Sequence, residues 1–360
     1  MSLMLISEIR SSIAAMLFYA RYKPAPEKKE GAGKVLLMDI RDNPYGRYLY
    51  CFLKFFHLEG YTIYMPKSLT LMRRLRSDHL AAHLLKEKMV HFGAPSAARA
   101  ILRIDDKKIS PDYFSESDLA PSRVLYVPMS QHPLMYYNSW WNTPLDKGIR
   151  KKSLFMAGNF DQAIYTRLET EQVFPVMSRR AVYDLLRKKQ LLLEVENKDS
   201  MLSFLESNED KKIILVDRQH FDIPMWDLRR LLSKFDFFFA LPGVIMPFSH
   251  NVVEAMSAGS IPFIQEAYAA MFVPALENEV NAFTFKDHHD LEARLRKLPD
   301  LPPEKISFMR EQVFAYYDTY LTPSSLVKNL EMNGHDKIFL QAEGESVKIF
   351  KHRLSHERQH

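Results

Sequence analysis

Cysteine is almost absent. Cys51 is the single one among 360 residues, so no intrachain disulfide framework and no cysteine-based zinc site can form, and the chain suits a reducing compartment. Cys51 sits in the apolar stretch LYCFLKFF, a core environment. No apolar run approaches the roughly 18 residues that a membrane span requires. No G-x-G-x-x-G occurs, which excludes a dinucleotide fingerprint. No concentrated basic tract with interleaved aromatics is found either, so nucleic acid is not expected as a partner. The basic residues come in small groups, Lys28-Lys29, Arg73-Arg74, Lys151-Lys152, Arg179-Arg180 and Lys188-Lys189, as on solvated helix faces and loops.

What is present is a long globular chain. Apolar residues make up 47% and charged residues 26%, which excludes disorder. The length exceeds one ordinary core, and two domains are expected. The net charge of +5 and the pI of about 9.0 favour an anionic ligand or surface. Near the start, Ile6, Ile9, Ile13, Met16, Leu17 and Ala20 recur at helical spacing. Glu8 and Arg10 break any secretory-signal core. This helix is expected to dock on its own protein, with a peripheral membrane contact as the alternative. The location expected is cytoplasmic, at the inner face of a membrane in that alternative.

After a Pro-, Gly- and charge-rich linker from Lys23 to Gly33, KVLLMDI reads as a buried parallel strand, RYLYCFLKFFHLEG as a helix closed by Gly60, and YTIYMP as the next strand. That order is a crossover unit of an open α/β sheet, whose ligands bind at the carboxyl edge. AILRID and RVLYVPM continue the alternation. A fresh series starts at SLFMAGNF and runs through KIILVD, FDFFFALPG and NAFTF. The fold class expected is α/β, with two Rossmann-like domains facing across a cleft. The expected divisions are 1–33, an amphipathic helix and linker; 34–150, a first α/β domain; 151–321, a second; and 322–360, a tail in which DKIFLQAEGESVKIFK suggests a hairpin.

One stretch concentrates chemistry: FFFALPGVIMPFSHNVVEAMSAGSIPFIQ, Phe237 to Gln265. Two buried strands joined through a helix bring that helix's start to the carboxyl edge, where free N–H groups and the dipole favour an anion. Ser249 is placed as N-cap. Gly243 allows close backbone approach. Glu254 falls about one turn into the helix among Val252, Val253, Ala255 and Met256. It is positioned either to accept two ribose hydroxyls or to stand as an ordinary surface carboxylate.

The segment LPGVIMPFSHNVVEAMSAGSIPFI resembles the donor-binding signature of GT-B glycosyltransferases, and in particular the exostosin-like group. There a Pro-Gly loop, a Ser, Glu-Ala, a Gly and Ile/Val-Pro follow in this order. SLFMAGNF with Tyr165 and Arg167 is similar to the opening of that domain, and PALENEVNAFTF to MREQVFAYYDTYL is similar to its ending. The likeness covers roughly Lys151 to Leu321; several GT-B families share its Glu-Ala element. It implies a glycosyltransferase that takes a sugar from a nucleotide-sugar donor and places it on a glycan or glycoconjugate acceptor, in the building of a surface polysaccharide. Two departures matter. Asn251 stands where the exostosin-like pattern carries an Arg, so phosphate charge would be met by Arg167, Arg179 or Arg180. Met246 and Pro247 stand where retaining enzymes carry a further carboxylate, which favours inversion.

Glycosyl transfer needs a stabilised leaving diphosphate and a base for the acceptor hydroxyl. No Asp-x-Asp occurs in the chain, so no metal and no other cofactor is expected. The positive charge would come from Arg167, Arg179 and the helix start at Ser249, His250 and Asn251. The base would be Asp42, in the loop after KVLLMDI, or His132, after RVLYVPM. Asp42-Asn43-Pro44 is also good turn chemistry. Arg47, Tyr136 and Trp140, with Tyr137 and Trp141, are assigned to the acceptor side, with interdomain packing as the alternative for the aromatics. The other function classes are a nucleotide-sugar epimerase of the same fold and a non-catalytic binding protein that retains it.

Overall fold

KVLLMDI forms β1 (Val35–Asp39) in the computed structural model, which describes residues 3–26, 33–40, 45–95, 101–114, 118–171 and 173–357. The later strands are β2 (Thr62–Met65), β3 (Val90–Phe92), β4 (Ile101–Asp105), β5 (Ile109–Ser110), β6 (Val124–Val127), β7 (Lys151–Gly158), β8 (Ile213–Asp217), β9 (Phe235–Ala240), β10 (Ile261–Gln265), β11 (Phe283–Phe285) and β12 (Lys337–Leu340). The chain divides into two units, Met1–Val127 with Thr322–Ser346, and Pro128–Leu321 with Val347–His360. Residues 128–150 therefore group with the second unit.

In the first unit, β3, β2, β1 and β4 pair in that order, all parallel. A second parallel sheet runs β5, β12, β6. The helix Arg47–Leu58 is buried on every side from Tyr48 to Phe56, as a helix that is apolar all round must be. Its one interior charge, Lys54, is neutralised by Glu87, which also accepts from the Tyr50 hydroxyl. Cys51 lies in this core.

The tail does not form a hairpin. Its first apolar run is β12, inserted between β5 and β6. Its second belongs to the helix Gly344–Glu357. The chain turns between them where Glu343 takes a positive φ and the Ser346 hydroxyl accepts from the Ala342 N–H.

The second unit is a single parallel sheet in the order β11, β10, β9, β7, β8. Counted from β7, this is the doubly wound order 2-1-3-4-5, whose switch point lies between β7 and β9. All six residues of β9 and all five of β10 are buried, the pattern of strands covered on both faces. Phe155 stacks on Phe235 at 4.5 Å, and Phe263 on Phe285 at 5.3 Å. The fold class is thus α/β, with two Rossmann-like units built on parallel strands.

Candidate functional site

The switch point of the second unit's sheet, between β7 and β9, is held by Arg179. It starts the helix Arg179–Lys188, whose first turn is capped by the Ser178 hydroxyl at 2.9 Å. The guanidinium is buried and donates to the carbonyls of Asn159 (3.3 Å) and Pro242 (3.2 Å). These carbonyls lie just beyond the ends of β7 and β9, so one cation clamps the two loops of the crevice. Burial draws its pKa down, with the Tyr165 and Tyr268 hydroxyls opposing. Its Nε has no partner among the described residues. Arg180, by contrast, pairs with Asp184 at 2.8 Å. Arg167 lies on the helix Gln162–Glu171, and its side chain falls outside the described residues.

After β9 the chain closes a tight loop. The Gly243 N–H donates to the Pro247 carbonyl at 3.0 Å. A Cβ on Gly243 would lie 2.8 Å from the Met246 carbonyl and 2.9 Å from that of Phe248. Here the close approach is to the loop's own backbone. The helix His250–Ser257 follows, with Ser249 at the N-cap. Its hydroxyl does not cap; instead its N–H donates to the Tyr268 hydroxyl at 2.9 Å. Asn251 ties the helix start to β7, donating from Nδ2 to the Ala157 carbonyl at 3.2 Å.

Glu254 is 1% exposed. Its Oε1 accepts from the His132 backbone N–H at 3.0 Å and lies 3.1 Å from His250 Nδ1. Its Oε2 is buried and has no partner among the described residues. Burial pushes this carboxyl up. The charge and hydrogen bond of His250 and the His132 N–H outweigh that and hold it below the usual carboxylate range. The His132 and His250 rings meet edge to face at 5.1 Å. His132 caps the helix Pro133–Tyr137, its Nδ1 accepting from the Leu134 N–H at 3.2 Å. In the neutral ring the proton then belongs on Nε2.

Residues not singled out from the sequence complete this cluster. Gln131 donates to the Tyr317 hydroxyl at 2.8 Å and to the Trp141 carbonyl at 3.3 Å. Burial pushes the Tyr317 hydroxyl up to about 12. The His250–Glu254 pair was legible from its i, i+4 spacing; Gln131 and Tyr317 carry no local signal. Tyr136 is fully buried, 5.9 Å from the Trp141 ring, a core position. Trp140 is half-buried, its backbone N–H donating to the Met135 carbonyl at 2.8 Å.

Arg47 belongs to the first unit. It pairs with Glu343 at 2.7 Å and donates to the Tyr48 hydroxyl at 2.9 Å. It lines a cavity of about 570 Å³ with Tyr48, Arg74, Asp78, His79 and Glu343, beside residues that follow the carboxyl ends of β1 and β12. Asp42 lies outside the described residues. Among the described residues, no three His, Cys, Asp or Glu side chains gather as a metal site would need.

No protein-family model and no curated protein sequence matches the chain. Among solved structures it is similar to HepE of Anabaena in complex with UDP, at 10% identity over 83% of this chain and 98% of that one, with a TM-score of 0.39. HepE with UDP-glucose matches at 11% identity over 84% and 98%, with a TM-score of 0.33. TarM matches at 10% identity over 78% of this chain and 57% of that one, with a TM-score of 0.34.

Proposed function

We propose that the second unit binds a nucleotide sugar at its switch point, and that the chain transfers the sugar, with inversion and without a metal, to a glycan or glycoconjugate acceptor. The observation that carries this is Glu254. A buried carboxylate with one oxygen fixed by two donors and the other uncommitted is incomplete until a donor arrives. An adjacent pair of ribose hydroxyls supplies that donor. The depressed pKa keeps the group ionised, so the bond it accepts is charge-assisted.

The other parts fit the leaving diphosphate. The helix start at Ser249, His250 and Asn251 offers its dipole, and Arg179 sets a fixed cation under the crevice. Arg167 is retained as a further phosphate contact. In the reaction the acceptor oxygen bonds to the anomeric carbon as the bond to the diphosphate breaks, and a base takes the acceptor's proton. Asp42 and His132 are the candidates. The cap bond to Leu134 favours Asp42, because the lone pair of the neutral His132 ring, on Nδ1, is committed to that bond and must be released before the ring can act as a base. In the first unit, Arg47 and the cavity beside it are proposed to take the acceptor; in the second unit, Tyr136 is a packing residue and Trp140 a proposed aromatic contact for a sugar. Membership of the exostosin-like group belongs to the same proposal.

The test is nucleotide release from a panel of nucleotide sugars in EDTA, with and without glycan acceptors. The expected result is nucleoside diphosphate release that rises with acceptor and yields a product of inverted anomeric configuration. Interconversion of the donor sugar with no transfer would point to an epimerase. Nucleotide-sugar binding with no turnover on any acceptor would leave a binding protein.

A further inference from the structure

The N-terminal helix, Leu3–Arg21, is fixed to the first unit by one face. Ala15 is buried, the rings of Tyr19 and Tyr22 meet Phe92 edge-on at 5.7 and 5.6 Å, and the Tyr22 hydroxyl donates to the Val90 carbonyl at 2.9 Å. Those residues recur at i, i+4 and i+7 and need no more of the helix surface. On other sides of the helix Ile13, Met16 and Leu17 stand 52%, 50% and 55% exposed. Three large apolar side chains at i, i+3 and i+4 form a continuous strip, which a solvated helix face does not require.

The helix Leu69–Ser77 packs beside it. It buries Leu71, Met72 and Leu75 and carries Leu69, Arg73 and Arg76 at i, i+4 and i+7, with Leu69 43% exposed. The Arg76 guanidinium lies 5.0 Å from the Phe18 ring of the first helix, so the two elements share a charged border. Over residues 12–26 and 67–77 the sequence holds Arg21, Lys23, Lys67, Arg73, Arg74 and Arg76 and no Asp or Glu. Such one-signed charge around an exposed apolar strip is the arrangement of an interfacial helix. Among the described residues, no helix is long and apolar enough to cross a membrane.

We propose that this face docks on the surface of a membrane containing anionic lipids, the apolar strip entering the acyl boundary and the arginines meeting the headgroups. The expected occupant is a lipid surface because the strip offers apolar area bordered by basic residues of both helices, which outnumber Glu8, Glu27 and Asp78, their neighbours in the sequence. The proposal stands independently of the glycosyl-transfer reading, since the assay contains no nucleotide sugar.

The experiment is co-sedimentation of the full chain with vesicles of phosphatidylcholine alone and of phosphatidylcholine with one quarter phosphatidylglycerol. Binding to the anionic vesicles only, weakened by salt, is expected. Arg73→Ser with Arg76→Ser should lower the partition about thirtyfold, taking about 1 kcal/mol for each basic residue near the surface. Met16→Glu with Leu17→Glu should abolish binding to the phosphatidylglycerol-containing vesicles. All four positions are at least partly exposed, and unchanged circular dichroism and melting will show that each variant is folded. No binding of the wild type to either vesicle would overturn the proposal. So would binding that both double variants retain. A concentration-dependent dimer lost in Met16→Glu with Leu17→Glu, without vesicle binding, would assign the face to a second copy instead.

Discussion

Replacing Gly158 by Ala is expected to act through Arg179. Gly158 ends β7 without a positive φ, so its backbone does not demand glycine, and Ala in a strand would otherwise gain about 0.5–1 kcal/mol. A Cβ there would overlap Arg179 Nη1 and approach its Cζ to 3.3 Å and Met156 Cε to 3.2 Å. The methionine end can move. The guanidinium cannot shift without giving up the Asn159 and Pro242 carbonyls. Breaking such a set around a buried cation costs about 3–5 kcal/mol, so the net loss for Gly158→Ala is about 2–4 kcal/mol once the strand gain is subtracted. In an Arg179→Met background the same substitution should cost less than about 1 kcal/mol. The measurement is urea unfolding of the wild type, both single variants and the double variant. A coupling of about 2–3 kcal/mol is expected. Additive effects would refute the placement of Arg179 under the switch point.

Further outcomes follow from the same geometry. The Glu254 carboxyl is held below its ordinary range in the folded state, so it contributes stability above the unfolded pKa of about 4.3 and loses it as pH falls through the folded value. Acid titration of wild type against Glu254→Gln should therefore show a stability difference that declines below about pH 4. Gly259 has a φ of +72°, and a Cβ there would run into the Phe314 ring. Gly259→Ala is expected to cost about 2–4 kcal/mol in chemical denaturation, partly restored by Phe314→Leu. Tyr317→Phe removes the nearer of the two acceptors of Gln131 Nε2, leaving one of its N–H groups buried without that bond. It should cost about 1–3 kcal/mol and weaken nucleotide binding through the adjoining His132 N–H, as isothermal titration would show.

The strands were legible because buried parallel strands are short apolar runs: FDFFFA and IPFIQ appear as β9 and β10 with little change of boundary. The helix start at His250 was legible from the loop that precedes it. Less legible was what each polar group would do there. A backbone N–H leaves no mark in a sequence, so the His132 bond to Glu254, across 122 positions, could not be read. Arg179 did carry a signal. It opens the apolar stripe of Val182, Tyr183 and Leu186 at i, i+3, i+4 and i+7, all buried, whereas Arg180 beside it is half-buried and pairs with Asp184. The tail failed as a hairpin because two apolar runs around EGES suit a strand pair and a strand–helix pair equally. The Ala342–Ser346 bond, and not the pattern, decides between them.

Glu254 and its uncommitted oxygen are the centre of the proposed donor site. The direct measurement is a thermal-shift and titration panel of UDP, GDP, CMP and dTDP with their common sugars, in EDTA, on wild type and Glu254→Ala. A ligand present at about 100 times its dissociation constant should add about 2.7 kcal/mol of stability. The expected result is a shift for one nucleotide class, with affinity about 10- to 150-fold weaker in the variant, as loss of a charge-assisted bond of about 1.5–3 kcal/mol requires. No shift from any nucleotide, or equal binding by the variant, would contradict the proposed donor site.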